Sequence, residues 1–85
     1  MTMYYAITKV KALPNFQLLL EFENGEERIF DMIEYLDKGI FSELRDERLF
    51  KSVRVSFDSI EWENGADLDP EILFNESILV KTLVK

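Results

Sequence analysis

Cysteine and histidine are both absent from this 85-residue chain, and there are only three glycines and two prolines. Without cysteine there is no disulfide framework, no thiolate zinc site and no thiol nucleophile. Without histidine the side chain best suited to proton transfer near neutrality is missing, which excludes the common catalytic triads. Serines remain, but nothing flanks one that would activate it. No apolar run approaches the ~18 residues that span a bilayer. The first residues also lack the basic-then-apolar pattern of a secretion signal. A small domain without staples fits a reducing compartment, so the expected location is the cytoplasm, away from membranes.

Basic residues are scarce too: ten Lys and Arg stand against seventeen Asp and Glu, a net charge of -7. The average field repels nucleic-acid phosphates and anionic lipid. Arg45, Arg48, Lys51 and Arg54 form one local cluster, but Glu43, Asp46 and Glu47 are interleaved with it. That balance argues against nucleic acid as a partner.

What is present is apolar and aromatic: 47% hydrophobic residues, with seven Phe, three Tyr and one Trp. This is enough for a core, and the length is that of one domain over residues 1–85. Tyr4 to Ala12 is rich in β-branched and aromatic residues and reads as a strand that breaks at Leu13-Pro14-Asn15. Phe16 to Glu23 alternates cleanly, and Asn24-Gly25 suits a two-residue type I′ turn. That turn sets Glu21 opposite Arg28, Leu20 opposite Ile29 and Leu19 opposite Phe30.

Asp31 then reads as the N-cap of a short helix with Met32, Ile33 and Leu36 turned inward and Gly39 closing it. A second helical piece is expected from Ile40 to Lys51, interrupted at Asp46. Val53, Val55 and Phe57 alternate with polar neighbours. With Asp58-Ser59 as the turn, Phe57 faces Ile60, Val55 faces Trp62 and Arg54 pairs with Glu63. Asp69-Pro70-Glu71 carries the signature of a helix start, with Ile72, Leu73 and Phe74 as anchors and Asn75 as the stop. In Ser77 to Val84 the β-branched residues favour a strand, while Leu79 and Leu83 also fit a helical stripe. The extended reading is adopted, pairing with a sheet edge or another subunit. The expected fold is α+β: a small antiparallel sheet of about five short strands from two hairpins, with two or three short helices.

The stretch Ser59 to Glu71 holds the only Trp, an Asn-Gly pair, a Pro and the densest carboxylates. Trp62, Asn64, Asp67, Asp69 and Glu71 are therefore the candidate interaction surface. Trp62, opposite Val55 on an apolar face, reads as core or as a partly buried interface residue. Glu61, Glu63, Asp67, Asp69 and Glu71 are spaced so that several could converge on a hard cation. Yet the calcium-loop pattern is not met, because Gly65 precedes the ligands and the loop is too short. A solvated strand face and a helix cap account for these carboxylates better. No catalytic residue, metal or cofactor is assigned.

Three spaced phrases resemble the bacterial domain-of-unknown-function family 2442. They are Phe22-Glu23-Asn24-Gly25-Glu26 leading to Phe30-Asp31; Phe41-Ser42-Glu43-Leu44 with Phe50; and Ile60-Glu61-Trp62-Glu63-Asn64-Gly65-Ala66-Asp67-Leu68-Asp69-Pro70-Glu71-Ile72-Leu73. The likeness runs from Val10 to Phe74, with Glu63 where the family often has Pro. It implies an α+β fold with a short antiparallel sheet and no established catalytic activity. Members resemble parts of small bacterial gene pairs, some with a helix-turn-helix segment after this domain, for which this chain is expected to lack room. No residue role carries over, because none is assigned in the family.

The expected function is a non-enzymatic protein-interaction module, in its finer form the antitoxin-like half of such a gene pair. Its partner would be another protein or a second copy, bound through a sheet edge or the C-terminal tail. Two alternatives stand beside it. One is a divalent-metal enzyme built on Asp67, Asp69 and Glu71; the other is a DNA-associated accessory domain using Arg45, Arg48, Lys51 and Arg54.

Overall fold

The structure is a computed structural model that describes residues 5–82. Tyr4, where the first strand was expected to begin, and Leu83 and Val84 of the expected tail lie outside the described residues. The chain is α+β, with seven strands in two antiparallel sheets where about five strands were expected. One sheet has the order β1-β2-β3-β7, made of β1 (Ile7–Leu13), β2 (Gln17–Phe22), β3 (Glu26–Asp31) and β7 (Ile78–Thr82). The other has β4 (Arg54–Ser56), β5 (Ser59–Glu61) and β6 (Asp67–Leu68) in that order. Two short α-helices, α1 (Glu47–Phe50) and α2 (Pro70–Glu76), accompany them, with 3₁₀ turns at Pro14–Phe16, Ile33–Tyr35 and Gly39–Arg45.

Alternation drives β2: Leu18, Leu20 and Phe22 are buried, while Gln17, Leu19 and Glu21 face the other way. In β1 a bulge interrupts the period, since Ile7 lies opposite Phe22 but Lys9 opposite Glu21. Thr8 is the extra residue, so Ile7 and Val10 both turn toward the core although their spacing is odd.

The β2–β3 register differs by one residue from the expected one. Leu18 lies opposite Phe30, Leu19 opposite Ile29, and Leu20 opposite Arg28. The reason is the turn. Within the turn only Gly25 has a positive φ, 89°, and its amide donates to the Phe22 carbonyl at 2.9 Å. The loop therefore has three residues, a turn closed by a left-handed glycine, rather than a two-residue type I′. Asn24 contributes its side chain instead, accepting from the Glu26 amide at 3.2 Å. Arg28, expected across from Glu21, bonds Glu26 at 2.8 Å and lies 4.1 Å from the centre of the Phe74 ring. Its guanidinium also donates to the Ser77 carbonyl, so one side chain joins β3, α2 and the entry to β7.

The second hairpin is displaced by two residues: Arg54 lies opposite Glu61, Val55 opposite Ile60 and Ser56 opposite Ser59. Phe57 and Asp58 make its turn, not Asp58 and Ser59. The tip is tied to the first sheet by the Ile7 amide, which donates to the Asp58 carbonyl at 3.0 Å.

The helical middle follows its capping signals only in part: the first piece is the 3₁₀ turn Ile33–Tyr35, whose cap residue is Met32 rather than Asp31, and Gly39 opens the next turn instead of closing this one. Asp31 accepts from the Ile33 amide, and Met32 and Leu36 are buried while Ile33 is exposed. Asp46 breaks the second piece as expected and caps α1, accepting from the Arg48 amide at 2.9 Å. The core gathers Leu18, Leu20, Phe22 and Phe30 from the first sheet with Leu44, Phe50, Ile60, Trp62 and Leu73 from the elements beside it.

At the edge of this core the Tyr35 hydroxyl donates to Glu76 at 2.6 Å, linking the Ile33–Tyr35 turn to the end of α2. That bond to a carboxylate, reinforced by burial and the nearby negative charge, pushes the phenol up to about 12. A raised phenol pKa adds stability that is complete below the ordinary value near 10 and is lost as pH climbs toward 12. An ultraviolet titration of the three tyrosines should show one late component near 12 that Tyr35→Phe deletes. A Tyr35 that ionises at the ordinary value would show that the link to Glu76 does not hold.

Candidate interaction surface

The expected surface residues share one stretch of chain but have different roles. Trp62 is fully buried, and its indole nitrogen donates to the Phe50 carbonyl at 3.0 Å. Its place on the candidate surface is therefore corrected: it lies in the core against Phe41 and Phe50 and offers no contact area. Burial of an indole, roughly 150–250 Å² at about 25 cal/mol per Å², is worth at most ~4–6 kcal/mol.

Asn64 is committed to its turn. Its side chain accepts from the Ala66 amide at 3.0 Å and donates to Glu43 at 2.9 Å. Gly65 closes that turn with φ 91° and an amide bond to the Trp62 carbonyl, repeating the geometry at Gly25. Asp67 lies on β6 opposite Glu61, and Asp69 is the cap residue of α2; both are exposed. The Asp69 carboxylate makes no capping bond, so the helix start holds it without using its side chain. Glu71 is exposed in the first turn of α2.

Between the β4–β5 turn and the start of α2 runs an open groove of about 330 Å³. Phe57, Asp58, Glu61, Asp67, Asp69 and Pro70 line it above the buried side chains of Ile60 and Leu68. Glu61 accepts from the Ser56 hydroxyl and from Arg54 at 3.3 Å, and these bonds hold its carboxyl below the usual range. Arg54 is thus engaged within the groove's own wall, and the remaining rim is acidic.

The residue that sequence reasoning missed is Phe57. It is 99% exposed, and its backbone sits at φ 56°. Nine other aromatic side chains among the described residues make ring contacts: Tyr5, Phe16, Phe22, Phe30, Tyr35, Phe41, Phe50, Trp62 and Phe74. Phe57 makes none. A left-handed backbone at a bulky residue costs about 1–3 kcal/mol and persists only where the surroundings enforce it. The fold gains neither burial nor ring stacking from this side chain in return.

The alternatives fare differently. Among the described residues no three acidic side chains are grouped to hold a metal ion, so Asp67, Asp69 and Glu71 do not converge. In the basic cluster, Arg45 is paired with Asp37 and Arg54 with Glu61, leaving Arg48 and Lys51 exposed at α1 and its end. No helix of the described residues is long and apolar enough to cross a membrane.

Residues 7–78 match the family described as Protein of unknown function (DUF2442). The chain belongs to this family. The match extends slightly past both ends of the likeness read from the sequence and includes both Asn-Gly turns, the Phe57 tip and α2. No curated protein and no solved structure matches the chain. Family membership therefore brings the domain and its boundaries without a residue role, and the chemistry has to be argued from the groove itself.

If Phe57 is held against its backbone preference, Phe57→Gly should raise stability by about 1 kcal/mol, since glycine adopts positive φ without a Cβ clash. Chemical denaturation measures this directly. A variant less stable than the parent would mean that Phe57 contributes contacts absent from this structure.

Proposed function

We propose that this domain is a non-enzymatic protein-interaction module that binds a basic partner on the β4–β6 surface. The observation that carries this reading is Phe57, a fully exposed aromatic ring on a strained turn. Interface hot spots favour large side chains that enter a pocket on the partner, ringed by polar groups. Phe57 has that form, with Asp58, Asp67 and Asp69 beside it. The acidic rim selects the partner's sign, and the chain's net charge of -7 extends the same preference to longer range.

The reading without catalysis rests on chemistry. The chain has no His or Cys, and Glu61, the groove carboxylate with a shifted pKa, is moved toward its ionised form by neighbours it already holds. A group held in that way is a poor proton donor near neutrality. In its finer form the proposal makes this chain the antitoxin-like half of a small bacterial gene pair acting in the cytoplasm. An acidic module of this kind is suited to masking a basic protein made beside it. The strand edge at β7 offers a second partner the backbone pairing that β1 partly spends on the Asp58 carbonyl.

The test uses a basic candidate partner encoded beside the gene. Titration calorimetry should show binding that weakens steeply with added salt and loses about 2 kcal/mol, roughly 30-fold, in Phe57→Ala. Asp67→Asn with Asp69→Asn should flatten the salt dependence. Binding that ignores Phe57→Ala would reject this surface.

A further inference from the structure

A second surface of the domain has a different chemistry. The face of the four-stranded sheet turned away from the core carries Leu19 on β2, Ile29 on β3 and Ile78 on β7, placed opposite one another in one row. Leu19 and Ile29 neither belong to the core nor pack against it, and Ile78 is 73% exposed. A solvated sheet face normally alternates to polar residues at such positions. Here three neighbouring strands present aliphatic side chains instead.

The charges on this face decide what could cover it. Lys9 and Lys11 occupy its register positions along with Glu21, Glu27 and Asp31. Two lysines against three carboxylates leave these positions at -1, although the chain as a whole carries -7. A basic partner gains little net attraction here. A second copy, repelled by the molecule's overall charge, meets the least opposition on a face close to neutral that carries both signs.

We infer that this face associates with the same face of a second copy across a two-fold axis, centred on Leu19, Ile29 and Ile78. Four strands a few residues long present a footprint of roughly 300–400 Å², against about 800 Å² per partner in a standard interface. The association is therefore weak and concentration-dependent. It also responds to salt in the opposite sense to the proposed partner binding: screening the -7 charge on each copy strengthens self-association.

Sedimentation of the full chain from about 10 μM to about 1 mM tests this, a range chosen for an interface below standard size. The expected result is a mass rising from 10.1 kDa toward twice that value, and rising further with salt. Ile78→Lys and Ile29→Lys should each keep the chain at 10.1 kDa, with circular dichroism confirming that they fold, while Phe57→Ala should associate like the parent. Ile78 is so exposed that its substitution removes little from the fold. A parent that stays monomeric across the range overturns the inference. So does a dimer that survives both lysine variants but is lost in Val80→Pro, which would assign the contact to the edge of β7 rather than the face.

Discussion

The buried indole of Trp62 is the contact on which the rest of the domain depends. It reaches the Phe50 carbonyl at the end of α1 and packs against the rings of Phe41 and Phe50. From there ring contacts continue through Tyr35 to Phe30 on β3, and through Phe50 to Phe16 in the first turn. One chain of aromatics thus joins the first sheet, the helical middle and the second sheet. In a domain this small, where net stability is a few kcal/mol, such a continuous series is a large part of what separates folded from unfolded. The second group, Tyr5, Phe22, Phe74 and Arg28, holds α2 to the sheet in the same manner.

Two turns of the same construction frame that core. In Phe22-Glu23-Asn24-Gly25 and in Trp62-Glu63-Asn64-Gly65 the glycine amide bonds the aromatic residue's carbonyl, and the Asn side chain accepts from the next amide. The aromatic residue at the start of each turn is buried. Each turn therefore sets both a chain reversal and a core anchor. The same Asn-Gly pair was legible in the sequence as a turn, but not its loop length, because Gly in the left-handed region serves a three-residue loop as well as a type I′ turn. That single ambiguity moved the β2–β3 register by one residue and separated Glu21 from Arg28.

The candidate surface was half legible for a related reason. Asp67 and Asp69 line the groove as their carboxylate density suggested, and Trp62 is core, as its apolar face implied. Phe57 was placed inward because a hairpin displaced by two residues keeps every side chain on the same face of its strand. Alternation could not distinguish the two registers, and neither turn contains Gly or Asn to break the tie. The choice is made by tertiary contact: the Asp58 carbonyl is needed by the Ile7 amide, and Ser56 and Arg54 both reach Glu61. The result is that Phe57, the one aromatic among the described residues without a ring contact, is held out beside an acidic groove, while Trp62, the largest fully buried side chain, sits in the core.

That division of labour, Trp62 as core anchor and Phe57 as the presented ring, is tested most directly by hydrogen exchange at the Trp62 indole N–H. The account predicts exchange only through global unfolding, with a protection that tracks overall stability as denaturant is added. Rapid exchange under native conditions would mean that the indole is not the buried anchor, and that the second sheet moves independently of the first.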